Sequence, residues 1–249
     1  MLTEERYRLI LEALRERGTV SLGELVQKLD SSESTVRRDL GALADMGKLV
    51  KVRGGATVAD AEYTFEEHSV DTKEKLSAPE KTEIARYAAA TLRKGDFVFI
   101  DAGTTTEKMI DFISERDITI VTNSFTHARK LAARGFRVMI TGGQIKTSTE
   151  AVVGVESVAM LERYNFTKCY LGTNGISLAR GFTTPDVDEA SVKNTAFRQS
   201  YVAYVLADHS KFDKISSVTF APAAKACIIT DMLPNEKYRE KCVIKEVMR

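Results

Sequence analysis

The chain has 249 residues, and its 36 lysines and arginines against 35 aspartates and glutamates give a formal net charge of +1 at pH 7. This balance excludes a strongly basic overall field of the kind that by itself indicates a nucleic-acid partner. The sequence contains no apolar run as long as a membrane span and no signal-peptide pattern at its start, so we expect a cytoplasmic chain without a membrane partner.

The cysteines Cys169, Cys227 and Cys242 are widely spaced and form no Cys-x-x-Cys pair. This pattern favours a reducing compartment and is not typical of a zinc site or a disulfide framework. The three histidines are equally scattered, and isolated histidines are more often surface or capping residues than ligands. We therefore expect no bound metal and no cofactor.

The first 45 residues predict three helices in the order of a helix-turn-helix. An amphipathic helix over residues 3–17 is followed by a second one over 22–29, with Ser21 as its N-cap. Asp30-Ser31-Ser32 then forms a tight turn and caps a third helix. In this arrangement the third helix is placed in the major groove of DNA.

Val36, Leu40 and Leu43 lie at i, i+4 and i+7 of the third helix, so they share a stripe that can face a core. Ser34 and Arg38 point the opposite way, where an arginine can reach a phosphate or a guanine edge. The alternative is an ordinary solvated amphipathic helix. The candidate DNA contacts of this helix are Ser32, Ser34, Thr35, Arg37 and Arg38.

Residues 47–56 alternate basic and apolar side chains before a glycine pair, which predicts a β-hairpin wing. Its Lys48, Lys51 and Arg53 can meet backbone phosphates. From residue 37 to 53 the chain has five basic and two acidic residues. If one head neutralised about four phosphates, the logarithm of its affinity would fall with log salt at a slope of roughly −3.6.

These features together resemble the DNA-binding head of the DeoR family of bacterial sugar-metabolism regulators. The resemblance covers about fifty positions, and its residues are Arg6, Ile10, Leu14, Ser32-x-x-Thr35-Val36-Arg37-Arg38-Asp39-Leu40 and Arg53-Gly54-Gly55-Ala56. The family usually has a histidine before the glycine pair, whereas Arg53 stands here and keeps the wing cationic. The resemblance implies double-stranded operator DNA as a partner.

Composition divides the chain into a head over residues 1–57, an acidic linker over 58–78 and a larger domain over 79–249. From residue 79 onward, helical and strand patterns alternate, which predicts an α/β domain with a largely parallel sheet covered on both faces. The predicted strands are 97–100, 118–121, 137–140, 169–171, 201–206 and 227–229, and the predicted helices are 80–92, 106–114, 125–133, 152–161 and 187–198.

Polar loops follow these strands, at the edge of the sheet where α/β folds bind ligands. After the first strand, residues 101–106 form a loop that leads directly into a helix. Backbone amides, hydroxyls and a positive helix end therefore converge there and favour binding of a phosphate. Lys211, in the loop after the fifth strand, could complete such a site. A single loop of this kind is more often an ordinary capped turn, but five polar strand-end loops in one sheet favour a ligand.

The same loops resemble the sensor domain that follows the DeoR-type head, which is similar in fold to ribose-5-phosphate isomerase and glucosamine-6-phosphate deaminase. The family's sensor binds a phosphorylated sugar. By this resemblance the phosphate end would be lined by Asp101, Gly103, Thr104, Thr105 and Thr106, with Lys211 beside them. Candidates for the sugar hydroxyls are Thr122, Asn123, Gly172, Asn174, Thr183, Asp186 and Glu189.

We expect a repressor that a sugar phosphate releases from its operator, acting as a homo-oligomer because one head makes too few contacts for specific affinity. The stretch from 181 to 193 resembles repressors of phosphotransferase-linked fructose or lactose operons, which favours fructose 1-phosphate or tagatose 6-phosphate. The alternative is a phosphosugar isomerase-like enzyme with a DNA-binding head. Asn174 argues against it, because an amide stands where isomerisation needs a carboxylate base; Asp186, Glu189 and Asp208 are the remaining candidate bases.

Overall fold

The computed structural model describes residues 2–46, 48–58, 62–63 and 70–248, and the chain divides into a first unit, Met1–Glu62, and a second unit, Tyr63–Arg249. The predicted linker, 58–78, lies partly outside the described residues. Among the described residues, no helix is long and apolar enough to cross a membrane.

The first unit contains three helices and a small antiparallel sheet. The helices are α1 (Thr3–Arg17), α2 (Leu22–Leu29) and α3 (Glu33–Asp45), and the strands are β1 (Thr19–Ser21), β2 (Leu49–Val52) and β3 (Gly55–Val58). The predicted wing is the β2–β3 hairpin, and β1, which the sequence pattern did not indicate, pairs with β3 on its other side.

Local capping explains where these helices begin and end. Gly18 has φ of 75° and donates its N–H to Leu14 O at 2.8 Å, which closes α1. Ser21 and Glu24 form a reciprocal capping box at the start of α2, and Ser32 caps α3. The apolar stripe predicted for α3 is buried with the apolar faces of α1 and α2 in one core.

The second unit is built on a seven-stranded sheet in which each pairing between described neighbours is parallel, with the order β17-β16-β13-β10-β5-β6-β7. In chain order the strands after the first unit's three are β4 (Glu62–Tyr63), β5 (Phe97–Ile100), β6 (Thr119–Thr122), β7 (Arg137–Ile140), β8 (Gln144–Lys146), β9 (Ala151–Val153), β10 (Phe166–Gly172), β11 (Gly175–Ser177), β12 (Gly181–Thr184), β13 (Ser200–Leu206), β14 (Lys214–Ile215), β15 (Val218–Ala221), β16 (Cys227–Thr230) and β17 (Val243–Glu246).

Helices cover both faces of this sheet. They are α4 (Val70–Lys75), α5 (Ala78–Ala90), α6 (Thr104–Phe112), α7 (Phe125–Ala133), α8 (Val155–Leu161) and α9 (Val187–Arg198). Successive strand residues alternate between two cores: Val98 and Ile100 pack with α5, α6 and α7, whereas Phe99 packs with α8 and α9. The α/β fold with a parallel sheet is the predicted class.

The predicted start of the helix over 152–161 is wrong. Val152 lies in β9, which pairs antiparallel with β8, and α8 begins only at Val155. The sequence analysis also did not identify the three-stranded sheet β11-β12-β15 or the edge strand β17. These strands are three or four residues long, too short for a period to stand out.

Candidate functional site

The exposed face of α3 carries the candidate DNA-reading side chains. Ser32 Oγ accepts a hydrogen bond from the Thr35 N–H at 3.3 Å and lies 3.0 Å from Ser34 Oγ and 2.9 Å from Thr35 Oγ1. Arg38 is exposed, whereas Arg37 Nη2 lies 2.5 Å from a carboxylate oxygen one turn earlier in the same helix. Of the two arginines on this face, Arg37 is in an ion pair, so Arg38 is the better candidate for a DNA contact.

The wing brings its basic side chains to the same surface. Lys48, Lys51 and Arg53 are all exposed. A Cβ placed on Gly41, on the exposed side of α3, would lie 3.9 Å from Lys51 Nζ. The structure therefore joins the wing and the third helix into one cationic surface, as a winged helix-turn-helix requires.

A buried ion pair that the sequence analysis missed holds α3 against α1. Arg6 Nε lies 2.6 Å from Asp39 Oδ2, and Arg6 Nη2 lies 3.2 Å from the other carboxylate oxygen. Asp39 is only 2% exposed. In the sequence, this pair could have been recognised because each helix carries one charged residue on its apolar side. Because this carboxylate is paired inside the unit, it contributes little negative charge to the candidate DNA-binding surface.

A cavity of about 870 Å³, part of it open to solvent, lies within the second unit at the carboxyl edge of the parallel sheet. We call it the carboxyl-edge cavity. Its lining includes eight of the predicted effector residues: Gly103, Thr104, Thr105, Thr106, Gly172, Asn174, Glu189 and Lys211. Its position is typical of a small-molecule site in an α/β fold.

One wall of the cavity is the start of α6. Gly103 is the N-cap and Thr104 the first helical residue, so the first backbone amides of α6 have no partner within the helix. Thr106 Oγ1 lies 2.7 Å from Asp101 O and 2.8 Å from Gly103 O, so its hydroxyl braces the loop. Amides and a positive helix end held in this way favour an anion.

Three lysines, which we call the lysine cluster, line the cavity near this wall: Lys73 of α4, Lys81 of α5 and Lys211. Lys81 Nζ donates to the backbone carbonyl of Lys73. Burial, with neighbouring lysines adding to it, lowers the pKa of Lys81 to about 8, although Asp208 opposes this shift. Burial also lowers the pKa of Lys211. A bound anion would offset the cost of burying these ammonium groups.

Sequence reasoning missed Lys73 and Lys81. Both lie before the first strand of the sheet, and Lys73 belongs to the segment that the sequence analysis treated as linker. Nothing in their local pattern distinguishes them from solvated lysines. Only the packing of α4 and α5 beside the strand ends brings them to the cavity.

The opposite wall is an ion-pair cluster around α9, which we call the α9 cluster. Glu189 accepts hydrogen bonds from Thr149 Oγ1 at 2.7 Å and from Lys146 Nζ at 3.1 Å. Burial is the largest influence on the pKa of Glu189 and would raise it, but Lys193, Thr149 and Lys146 together hold it below its ordinary value. Glu189 is therefore an ionised acceptor at neutral pH.

The structure does not bring the other five predicted effector residues to the cavity lining. Asp101 is 1% exposed; its carboxylate forms an ion pair with Lys193 and accepts the Gly172 N–H at 3.0 Å. Asn123 Oδ1 accepts the N–H of residue 102 at 2.8 Å, and Thr122 is fully buried. The hydrogen bonds of Asp101 and Asn123 hold the loops that border the cavity.

Thr183 and Asp186 have comparable positioning roles. Thr183 Oγ1 accepts the Ser216 N–H at 2.9 Å and is fully buried. Asp186 is the N-cap of α9, and its Oδ2 lies 3.3 Å from Lys146 Nζ. Thr183 thus holds the segment around residue 216 against β12, and Asp186 fixes the start of the helix that carries Glu189.

His127 also lines the cavity. Burial lowers its pKa to about 3, so the ring is neutral at pH 7. Its Nδ1 is buried and makes no hydrogen bond within the described part of the chain. The described residues contain no cluster of three or more histidine, cysteine, aspartate or glutamate side chains suited to a metal ion.

The loop that an isomerase would need for its base presents Asn174, whose Oδ1 accepts a hydrogen bond from Thr184 Oγ1 at 3.3 Å. Asp208 is 2% exposed and accepts hydrogen bonds from Ser210. The amide cannot abstract a proton, and the nearby carboxylate is engaged in capping. The position where an isomerase carries its base is therefore held by a side chain that can bind a hydroxyl but cannot take a proton.

Comparison with known proteins gives two family matches: a DeoR-like helix-turn-helix domain over residues 6–62 and a DeoR C terminal sensor domain over residues 76–232. The chain is 41% identical to the uncharacterized HTH-type transcriptional regulator FruR of Bacillus subtilis (strain 168), over 99% of each chain. It is 32% identical to the lactose phosphotransferase system repressor of Staphylococcus aureus (strain N315), over 94% of each.

Among solved structures, ribose 5-phosphate isomerase A of Methanocaldococcus jannaschii matches with a TM-score of 0.40 and 13% identity, over 53% of each chain. The sequence relatives are named as regulators, and the chain is a transcriptional regulator rather than an enzyme. With a winged helix-turn-helix at one end and a sensor match across most of the rest, the chain belongs to the DeoR family of DNA-binding transcriptional regulators.

Proposed function

We propose that this regulator represses a sugar-catabolism operon and is released from its operator by a phosphorylated sugar bound in the carboxyl-edge cavity. The observation that carries the proposal is the lysine cluster beside the start of α6, which offers a phosphate both ammonium groups and helix amides. Likeness to a protein named as a lactose phosphotransferase system repressor supports a phosphosugar. Fructose 1-phosphate and tagatose 6-phosphate are the first candidates.

In this proposal the operator contacts are made by the α3 face and the wing: Ser32, Ser34, Thr35, Arg37, Arg38, Lys48, Lys51 and Arg53. The head comprises residues 1–57 and the sensor 79–249, joined through 58–78. The protein acts as a homo-oligomer, because two heads are needed for specific affinity. The phosphosugar favours an arrangement that the operator does not fit.

Fluorescence anisotropy with labelled DNA from upstream of the operon tests the DNA-binding part. Arg38→Ala should weaken binding at least tenfold, whereas Arg8→Ala, which removes an arginine from the exposed side of α1, should not. Equal affinity of wild type and Arg38→Ala would refute the role of α3. Light scattering of the free protein tests the oligomer, and a monomer that binds the operator at full affinity would refute it.

Calorimetry with a panel of phosphorylated and unphosphorylated sugars tests the sensor. One phosphorylated sugar should bind and release the labelled operator, and the same sugar without its phosphate should not bind. Lys211→Ala should lower the affinity for the phosphosugar. Without the phosphosugar, its affinity for the operator should equal that of the wild type. Turnover of that sugar at enzyme-like rates would instead support an isomerase.

A further inference from the structure

The charges around the carboxyl-edge cavity are divided between the two faces of the sheet. The lysine cluster and the start of α6 lie on the side where α5 and α6 pack, and Glu189 and its ion-pair partners lie on the side where α9 packs. A small ligand in this cavity therefore meets two chemically different walls. The difference between these walls determines which ends a ligand can present.

The first wall is cationic. Lys73, Lys81 and Lys211 place three ammonium groups here against the carboxylate of Asp208, and burial, opposed by Asp208, is the main reason that the pKa of Lys81 is lowered. The amide end of α6 adds positive potential on the same wall. A phosphate carries about −1.5 to −2 charge at pH 7, so one phosphate suits this wall.

The second wall carries no net positive charge. Its two lysines, Lys146 and Lys193, are already paired with three carboxylates, those of Asp101, Asp186 and Glu189. Glu189 faces the cavity as an ionised group, and Asn174 beside it is neutral. Such a wall accepts hydrogen bonds from hydroxyls, and it repels a second phosphate.

We propose that the cavity selects sugars that carry a single phosphate and rejects sugars phosphorylated at both ends, with Glu189 as the residue that sets this preference. The inference rests on the proposed function, since it assigns the ligand's phosphate to the lysine cluster. It adds that the far end of the ligand is an uncharged, hydroxyl-bearing end. The regulator therefore reports a monophosphorylated sugar and not the product of a second phosphorylation of the same molecule.

Two matched ligand pairs test the inference by calorimetry on the full chain: fructose 1-phosphate with fructose 1,6-bisphosphate, and tagatose 6-phosphate with tagatose 1,6-bisphosphate. In the pair whose monophosphate binds, the bisphosphate should bind at least about tenfold more weakly. Glu189→Gln removes one negative charge and keeps the shape, so it should bring the two affinities within about threefold. Lys81→Met should weaken both ligands of the pair and leave their ratio unchanged.

The wild-type comparison decides the inference even if Glu189→Gln fails to fold. Equal or tighter binding of the bisphosphate would overturn single-phosphate selection while the proposed function stood. A folded Glu189→Gln protein that keeps the wild-type ratio would overturn the role of Glu189. If none of the four ligands binds, and no other phosphosugar of the panel does, the proposed function itself fails.

Discussion

The head surface makes a quantitative prediction for Lys51→Met. Lys51 lies on the wing with its ammonium group beside α3, so the substitution removes one charge from the centre of the cationic surface and keeps the length of the side chain. The charge of Arg37 is balanced by Glu33 within α3, so the charges that we count against phosphates are those of Arg38, Lys48, Lys51 and Arg53.

If each of these four residues neutralises one phosphate, the log–log salt slope of operator binding is roughly −3.6 for one head and −7.2 for two. Without Lys51 the slopes become roughly −2.7 and −5.4. Doubling the salt from about 0.1 to 0.2 M would then weaken a two-headed complex by ~150-fold for the wild type and by ~40-fold for Lys51→Met. The variant should bind more weakly at low salt and be less sensitive to salt.

Anisotropy titrations at five or six salt concentrations would measure both slopes. Arg8→Met is the matched control, because Arg8 is an exposed arginine of the same unit that pairs with Glu12 along α1. Its slope should equal that of the wild type. A Lys51→Met slope that matches the wild-type slope would show that the wing lysine does not contact a phosphate, and the assignment of the wing surface would be wrong.

Four further outcomes follow from the structure. Because Lys81 has a pKa of about 8, phosphosugar affinity should fall about tenfold from pH 7 to 9. In calorimetry Lys81→Met should reduce that dependence, and a wild-type affinity that is flat over this range would contradict the assignment. Asp231 raises the pKa of His209, so their pairing stabilises the fold at pH below about 6.5, and this contribution disappears as the pH rises through the raised value; in thermal unfolding His209→Gln should remove that pH dependence, and an unchanged profile would argue against the pair. A Cβ at Gly55 would lie 2.2 Å from the Val20 carbonyl oxygen, so Gly55→Ala should destabilise the first unit by about 1–3 kcal/mol in denaturant unfolding. Gly23→Ala meets open space in α2 and should stabilise it by about 0.5–1 kcal/mol; a loss of stability there would refute the packing argument.

The head was predictable because its signals are local. Ser21, Ser32 and Gly18 mark helix ends through hydrogen bonds to neighbours in sequence, and these predicted bounds agree with α1, α2 and the start of α3. The pair Arg6–Asp39 joins residues 33 positions apart. Periodicity places each of them on an inward face, but only the packed helices reveal that they meet.

The sequence predicted the position of the cavity in the fold better than it predicted which side chains line it. The polar strand ends indicated the correct edge of the sheet, since that edge follows from parallel topology. Whether a polar side chain at that edge faces the ligand or braces a loop depends on long-range partners, such as Lys193 for Asp101. Lys81 is an example of a cavity residue that the sequence did not indicate. Its place in the helical pattern predicts a solvated side chain, but packing leaves it only 4% exposed at the cavity.

The division of the cavity between the two faces of the sheet has a mechanical consequence. The walls belong to separate hydrophobic cores, one with α5 and α6 and the other with α9. A ligand that bridges them would act as a non-covalent cross-link between layers that pack on opposite faces of the sheet. At about 100 times its dissociation constant such a ligand adds about 2.7 kcal/mol to the stability of the bound form. Occupancy should therefore slow amide exchange in α5 and α9 together, although no single helix carries the whole site.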